Sequence, residues 1–335
     1  MRRSRGRPGV KLLLLVAVAA AGFVLYRMAT PYRGFTDDAF VEFPHGMSSQ
    51  GMADQLARAG VIRSRWDFMI ARFMRPGRVL QAGEYRFQKP ATPVEVFDRI
   101  ARGDVFYYEL LVPEGKNMFD IAAAAEHLGL FPATKFLEAA HNPEMIHDLD
   151  PHAPTLEGYL FPNTYKLSRN TTPERLCRIM TGKFREEWRS LDTPANVHDT
   201  VTLAALVEKE GKLPEERPRI AAVFRNRLRI GMKLDCDPTT IYAALLANRY
   251  RGAIHRSDLD SHDAYNTYQH AGLPPGPIAN PGIASLKAAL NPAQTSALYF
   301  VVRPDGSGGH AFSDNLAAHT AAVEKYRRGL KQQNH

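Results

Sequence analysis

Val201-Thr202-Leu203-Ala204-Ala205-Leu206-Val207-Glu208-Lys209-Glu210-Gly211 is the stretch on which the reading of this chain turns. Leu203, Leu206, Val207 and Glu210 fall at i, i+3, i+4 and i+7, a single stripe along one buried helix. A carboxylate at the end of an apolar stripe is costly, because burying a charge costs several kcal/mol unless it is paired. Desolvation raises the pKa of such a group, which suits a general acid working near neutral pH. Glu208 points about 200° around the helix from Glu210 and shares a face with Val201, Ala204 and Ala205. The spacing therefore favours Glu210. It leaves open the plainer reading, in which both glutamates are last-turn residues before a Gly211 stop.

Outward from this helix, the chain has 335 residues, enough for one large or two medium domains. Its apolar fraction of 44% is ordinary for a globular protein with a real core. The net charge is +8, and five basic residues (Arg2, Arg3, Arg5, Arg7, Lys11) crowd the amino terminus. The remaining excess is spread without a sustained run, and no RNP, zinc-finger or glycine-lysine motif accompanies it, which disfavours nucleic acid as a partner. A basic surface equally suits an acidic polymer or an anionic membrane.

Leu12 to Tyr26 is an uncharged run of apolar and small residues, extended by Met28 and Ala29 if the long stem of Arg27 snorkels to the interface. Ala17, Ala19, Ala20 and Ala21 offer cleavage sites for a signal peptide, but Phe23 to Tyr26 continue the apolar run past them and favour a retained anchor. In both cases the basic amino terminus stays in the cytoplasm and the body is exported. Two cysteines, Cys177 and Cys236, leave a disulfide and two separate thiols equally open. No Cys/His pair has metal spacing, so neither a metal nor another cofactor is expected.

Taken in order, residues 39–43 alternate like a strand, and Ser48 or Ser49 caps a helix ended by Gly60. A helix over about residues 65–74, a strand over 84–87 and a proline-started helix from Thr92 to about Ala101 follow. An internal repeat links Phe43-Pro44-His45-Gly46 to Val112-Pro113-Glu114-Gly115, Met52-Ala53 to Ile121-Ala122, and Gly60-Val61 to Gly129-Leu130 at one offset. Each copy reads as a strand, a P-x-G turn and an amphipathic helix closed by glycine.

Leu156 to Tyr165 packs three aromatics, Glu157 and Asn163 into ten residues. Aromatic faces beside polar groups suit a sugar ring, and an aromatic core strand or turn is the plainer alternative. Helices are expected from Thr172 to about Arg189, from Pro214 to about Ile230, and from the Asp237-Pro238 turn to about Ala247. Gly272 to Gly282 is a proline-rich, stiff loop able to wall a groove. A short helix over 285–290, a strand over 297–302, a hairpin return near Ala311 and a closing helix from Asn315 complete the pattern.

The ordered set E-G-Y-L-F-P-N-T-Y, V-E-K-E, V-F-R-N-R-L-R-I-G-M-K-L-D-C-D-P-T, Y-N-T-Y-x3-G-L-P-P-G-P-I-x-N-P-G and G-G-H-x-F resembles the endolytic murein transglycosylase MltG (YceG-like) family. The resemblance is densest from Glu157 to Phe312. It implies a single-pass protein of the bacterial inner membrane, amino terminus cytoplasmic, with a small LysM-like subdomain and a larger catalytic domain in the periplasm. It implies cleavage of nascent peptidoglycan between N-acetylmuramic acid and N-acetylglucosamine to leave 1,6-anhydro ends, terminating strand elongation. Peptidoglycan synthases are then candidate partners. The family's catalytic glutamate, the second acid of E-K-E, falls on Glu210. Glu157, Tyr159, Asn226, Asp237 and Asn266 match family motif positions and are carried as substrate-binding candidates.

The fold expected is α+β. Residues 1–11 form a basic tail, 12–29 the transmembrane anchor, 30–38 a linker, 39–110 the LysM-like α/β subdomain, and 111–330 a mixed α+β catalytic domain that begins with the second strand-helix unit. Two other functions stay in play. One is a membrane-anchored peptidoglycan-binding scaffold without catalysis. The other is a muramidase in which Asp237 or Glu157 supplies a second carboxylate beside Glu210.

Overall fold

A computed structural model gives an α+β fold and describes residues 8–333, so the basic tail before Pro8 lies outside the described residues. The chain divides into two compact units, one ending at Tyr108 and one beginning at Glu109.

In the first unit, α1 (Pro8–Ala29) carries a 20-residue segment, Val10–Ala29, of mean hydropathy 2.2, long and apolar enough to cross a membrane or to serve as a signal sequence. Its apolar side chains before Arg27 are exposed, and Met28 is buried. Arg27 at its foot does not snorkel free as the sequence suggested. It pairs at 2.7 Å with Asp67, a buried carboxylate that also closes the capping box of the helix it starts. A buried carboxylate needs such a partner. β1 (Ala39–Phe43) and β2 (Gly83–Phe87) pair antiparallel, with Val41 opposite Tyr85. Three short helices pack with this strand pair: α2 (Ser49–Arg58), α3 (Arg65–Met74) and α4 (Pro93–Arg102), capped by Ser48, Ser64 and Thr92. Phe43, Leu56, Phe68, Tyr85, Phe97 and Ile100 form the core between them.

The second unit begins with β3 (Tyr108–Val112) and α5 (Met118–His127). The two repeat copies share their backbone in detail. Gly46 and Gly115 both turn at positive φ, 82° and 75°. After each helix a glycine again takes positive φ, and the next residue donates back into the last turn: Val61 N to Leu56 O at 2.9 Å, Leu130 N to Ala125 O at 3.1 Å. Next come α6 (Ala133–Ala140), which sequence reading missed, β4 (Asn163–Leu167), paired with β3, and α7 (Pro173–Ser190). α8 (Val197–Glu210) starts before Val201, where the Asn196 side chain caps it through the Asp199 N–H. A 3-10 turn at Pro214–Glu216 leads into α9 (Arg217–Arg229). The remainder is α10 (Asp237–Leu246), α11 (Arg256–Leu259), α12 (Ile283–Leu290), the hairpin of β5 (Tyr299–Val302) and β6 (His310–Ser313), and α13 (Leu316–Gln333). α8 packs on α9, α10 and α12, so it lies in the middle of the unit.

Candidate active site

From Thr200 to Val207 every residue of α8 is buried. The helix is therefore enclosed all round rather than apolar on one stripe, and burial alone does not separate its two glutamates. Their partners do. Glu208, whose side chain is only 4% exposed, pairs with Arg217 at 2.8 Å and accepts the Gly282 N–H at 3.0 Å. Its charge is matched and its oxygens are occupied. Glu210 makes no ion pair among the described residues, and its Oε1 accepts a hydrogen bond from the Cys236 thiol at 3.3 Å. Burial pushes its pKa up, against a lowering from that thiol; the negative charge of Asp237 adds to the rise.

Glu210 opens into a cavity of about 410 Å³, shared with Asp237, Arg227, Asp235, Tyr268 and Tyr299. The turn before α10 sets the opposing wall. Asp235 takes a positive φ of 47°, and the Cys236 backbone is clasped by two threonines: its N–H donates to Thr267 Oγ1 at 3.0 Å and its carbonyl accepts from Thr239 Oγ1 at 2.7 Å. Asp237 stays exposed at the first turn of α10, its Oδ1 accepting from the Tyr268 hydroxyl at 2.6 Å. Arg227 donates to the carbonyls of Leu298 and Leu234 at 2.7 and 2.8 Å, and its guanidinium lies over the Tyr299 ring. That places a fixed cation in the cavity. Glu216 receives the His310 N–H and Nδ1, tying the hairpin to the entry of α9.

The structure brings Glu210 and Asp237 together and sets the other four candidates apart. Glu157 is 1% exposed; its Oε2 accepts the Met118 N–H and its Oε1 accepts from Asn280. Tyr159 is fully buried, its hydroxyl donating to Asp150 and its ring edge-on to Phe184. Asn266 is fully buried and donates to the carbonyls of Asp258, Leu259 and Ser261. Asn226 donates to the carbonyls of Thr295 and Ala297. These side chains are spent on partners within the protein, and none of them lines the Glu210 cavity. The aromatic stretch from Tyr159 to Tyr165 is likewise core rather than a sugar platform, with Tyr159, Phe161 and Tyr165 all buried. The proline-rich loop is also mostly buried, and its Asn280 accepts from the Gly158 and Leu160 N–H groups at 2.8 and 2.9 Å.

Sequence reading did not single out Arg227, Tyr268, Tyr299 or Cys236 as site residues. Arg227 carried a usable signal: it follows Ile220, Val223 and Phe224 on the buried side of α9, a charge ending an apolar stripe as Glu210 does. Tyr268 and Tyr299 reach Glu210's cavity, and the Cys236 thiol reaches Glu210 itself, only through tertiary packing. Cys177 and Cys236 are both buried and free.

The chain was compared with known proteins. The Bacillus subtilis (strain 168) endolytic murein transglycosylase is 31% identical over 307 residues, spanning 85% of this chain and 84% of its own. The endolytic murein transglycosylase of Streptococcus pneumoniae (strain D39) is 29% identical, spanning 78% of this chain and 53% of its own. The crystal structure of a yceG-like protein from Listeria monocytogenes superposes with a TM-score of 0.54 at 29% identity, covering 86% of this chain and 99% of that one. A family model described as the YceG-like family matches residues 41–325, and it is to this family that the chain belongs.

Proposed function

We propose that this chain is an endolytic lytic transglycosylase that cleaves nascent peptidoglycan between N-acetylmuramic acid and N-acetylglucosamine. The products carry 1,6-anhydro ends, and cleavage terminates strand elongation. The observation that carries the reading is the contrast on α8: the charge of Glu208 is matched by Arg217, while Glu210, two residues on, is half-buried, free of any ion pair among the described residues, and open to a cavity. Desolvation raises its pKa above the ordinary carboxylate value, the direction a general acid needs.

The chemistry needs one such group. Glu210 gives its proton to the glycosidic oxygen as the C1–O bond breaks. The sugar's own 6-hydroxyl then bonds to C1, and its proton returns to Glu210. The nucleophile is part of the substrate, so proximity does the work of a second carboxylate. Asp237, exposed at the cavity wall, is placed to offset the oxocarbenium-like charge. The homology of the B. subtilis and S. pneumoniae transglycosylases supports the substrate class. Under this reading α1 is a single-pass inner-membrane anchor with the amino terminus cytoplasmic, the second unit works in the periplasm, and the first unit is a LysM-like peptidoglycan-docking module.

The test is mass spectrometry of glycan fragments from uncrosslinked strands digested with the chain, intact and as Glu210→Gln. Anhydro-ended fragments from the intact protein alone support the reading. Reducing ends support the muramidase alternative, for which the structure leaves Asp237 as the available partner, because Glu157 is sealed in the core. No cleavage by the intact protein overturns both enzymatic readings in favour of a binding scaffold.

A further inference from the structure

A second cavity, of about 400 Å³, lies in the same unit as the Glu210 cavity. Its lining includes Lys209 and Pro238, the chain neighbours of Glu210 and Asp237, so the end of α8 and the start of α10 serve both cavities. Its floor is apolar, built from Phe119, Ile241, Leu245 and Tyr250. Its charged groups are Lys116, Lys209 and Asp120, a net positive set, beside the neutral polar groups of Asn117, Tyr242 and Tyr250. Lys116 is matched by Asp120 at 3.5 Å, but Lys209 donates only to the neutral Gly115 carbonyl, at 3.3 Å, and makes no ion pair among the described residues. An apolar floor with an excess ammonium fits a ligand with small apolar side chains and a free carboxylate.

We propose that this cavity binds the acidic, alanine-containing peptide branch of the same glycan strand whose backbone lies over Glu210. The proposal rests on the transglycosylase reading for the identity of the strand. Peptide branches hang from alternate sugars, so a strand held with one bond at Glu210 carries a branch beside that bond. The methyl groups of the branch meet Leu245 and Ile241, and a carboxylate meets Lys209 and Lys116. The site thereby makes the enzyme favour strands that still bear peptides over bare ones.

The experiment compares kcat/KM for the full chain in detergent on peptide-bearing strands and on the same strands stripped by an amidase. It is repeated with Leu245→Trp, which fills the floor, and with Lys116→Glu, which repels a carboxylate. The wild type should favour peptide-bearing strands by ~10-fold or more, chiefly through KM, and both variants should bring that ratio close to one. In parallel, free L-Ala-D-Glu-L-Lys-D-Ala-D-Ala is titrated into each protein by calorimetry. Saturable binding should appear in the wild type and vanish in Leu245→Trp. A wild-type ratio near one, a ratio kept by both variants, or no peptide binding by the wild type overturns the proposal. Absence of anhydro products from both kinds of strand overturns the transglycosylase reading instead, and the titration still decides the cavity.

Discussion

Asn280→Ala should be among the most damaging single changes in the second unit, although the residue lies on a loop. Its side chain is fully buried and uses every polar valence. Oδ1 accepts from the N–H groups of Gly158 and Leu160, while Nδ2 donates to the Lys116 carbonyl at 2.9 Å and to Glu157 Oε1 at 2.7 Å. Truncation orphans two buried N–H groups at about 1–3 kcal/mol each. The two acceptors suffer less, since the Lys116 carbonyl keeps the Asn280 N–H and Glu157 keeps the Met118 N–H. With the small void left behind, the sum is about 5 kcal/mol, much of the total stability of an ordinary domain. Urea unfolding followed by Trp188 fluorescence reports this unit, in a Trp66→Phe background that silences the tryptophan of the other. Asn280→Asp keeps the acceptor for Gly158 and Leu160 but turns an oxygen toward Glu157, so its loss should grow with pH. A loss below ~1 kcal/mol for Asn280→Ala at unchanged m would refute the accounting.

Three further outcomes follow from the same contacts. Burial pushes the Glu157 pKa from 4.5 up to about 8, against lowering by the Met118 N–H and Tyr242. A raised folded pKa means stability is full below pH 4.5 and falls as pH rises toward 8, by up to about 1.4 kcal/mol per pH unit; Glu157→Gln should flatten that slope in urea titrations at stepped pH. Because the Cys236 thiol lowers the Glu210 pKa, Cys236→Ala should move the alkaline limb of the activity profile to higher pH, and Cys236→Ser, a stronger donor, should move it lower; two unshifted limbs would remove the thiol from the acid's environment. Gly158→Ala places a Cβ against the Pro277 side chain at a φ of +88°, so thermal unfolding should show a loss of about 2 kcal/mol or more, and a neutral result would mean the loop yields easily.

Local signals carried most of the fold. The repeat was readable because each copy needs a glycine at the turn and another after the helix, and the backbone takes positive φ at all four. The proline-started helices were readable for the same kind of reason. α6 escaped because Pro132 at its start makes no side-chain cap, so the usual start signal is absent. In the candidate site, the sequence pointed to Glu210 as a charge ending an apolar stripe, but α8 is buried all round, and what sets Glu210 apart from Glu208 is its lack of an ion pair among the described residues. Glu157, Tyr159 and Asn266 were misplaced because a polar residue that anchors a backbone from inside looks, in sequence, like one that anchors a ligand. Only the partners tell them apart, and those partners lie up to 123 residues away. The part played by Glu208 depended on Arg217, and sequence has no rule that pairs two such residues across a turn.

The Asn280 clasp also sets a schedule. Gly158 must wait 122 residues for the side chain that holds it. At synthesis rates of about 5–20 residues per second, that is roughly 6–24 seconds during which the segment behind α8 has no anchor. Pairings so distant in the chain are slow to form, and the hairpin that brings His310 to Glu216 comes later still. The cavity that Glu210 opens into is therefore walled only once Tyr299 and Leu316 have followed it out of the ribosome.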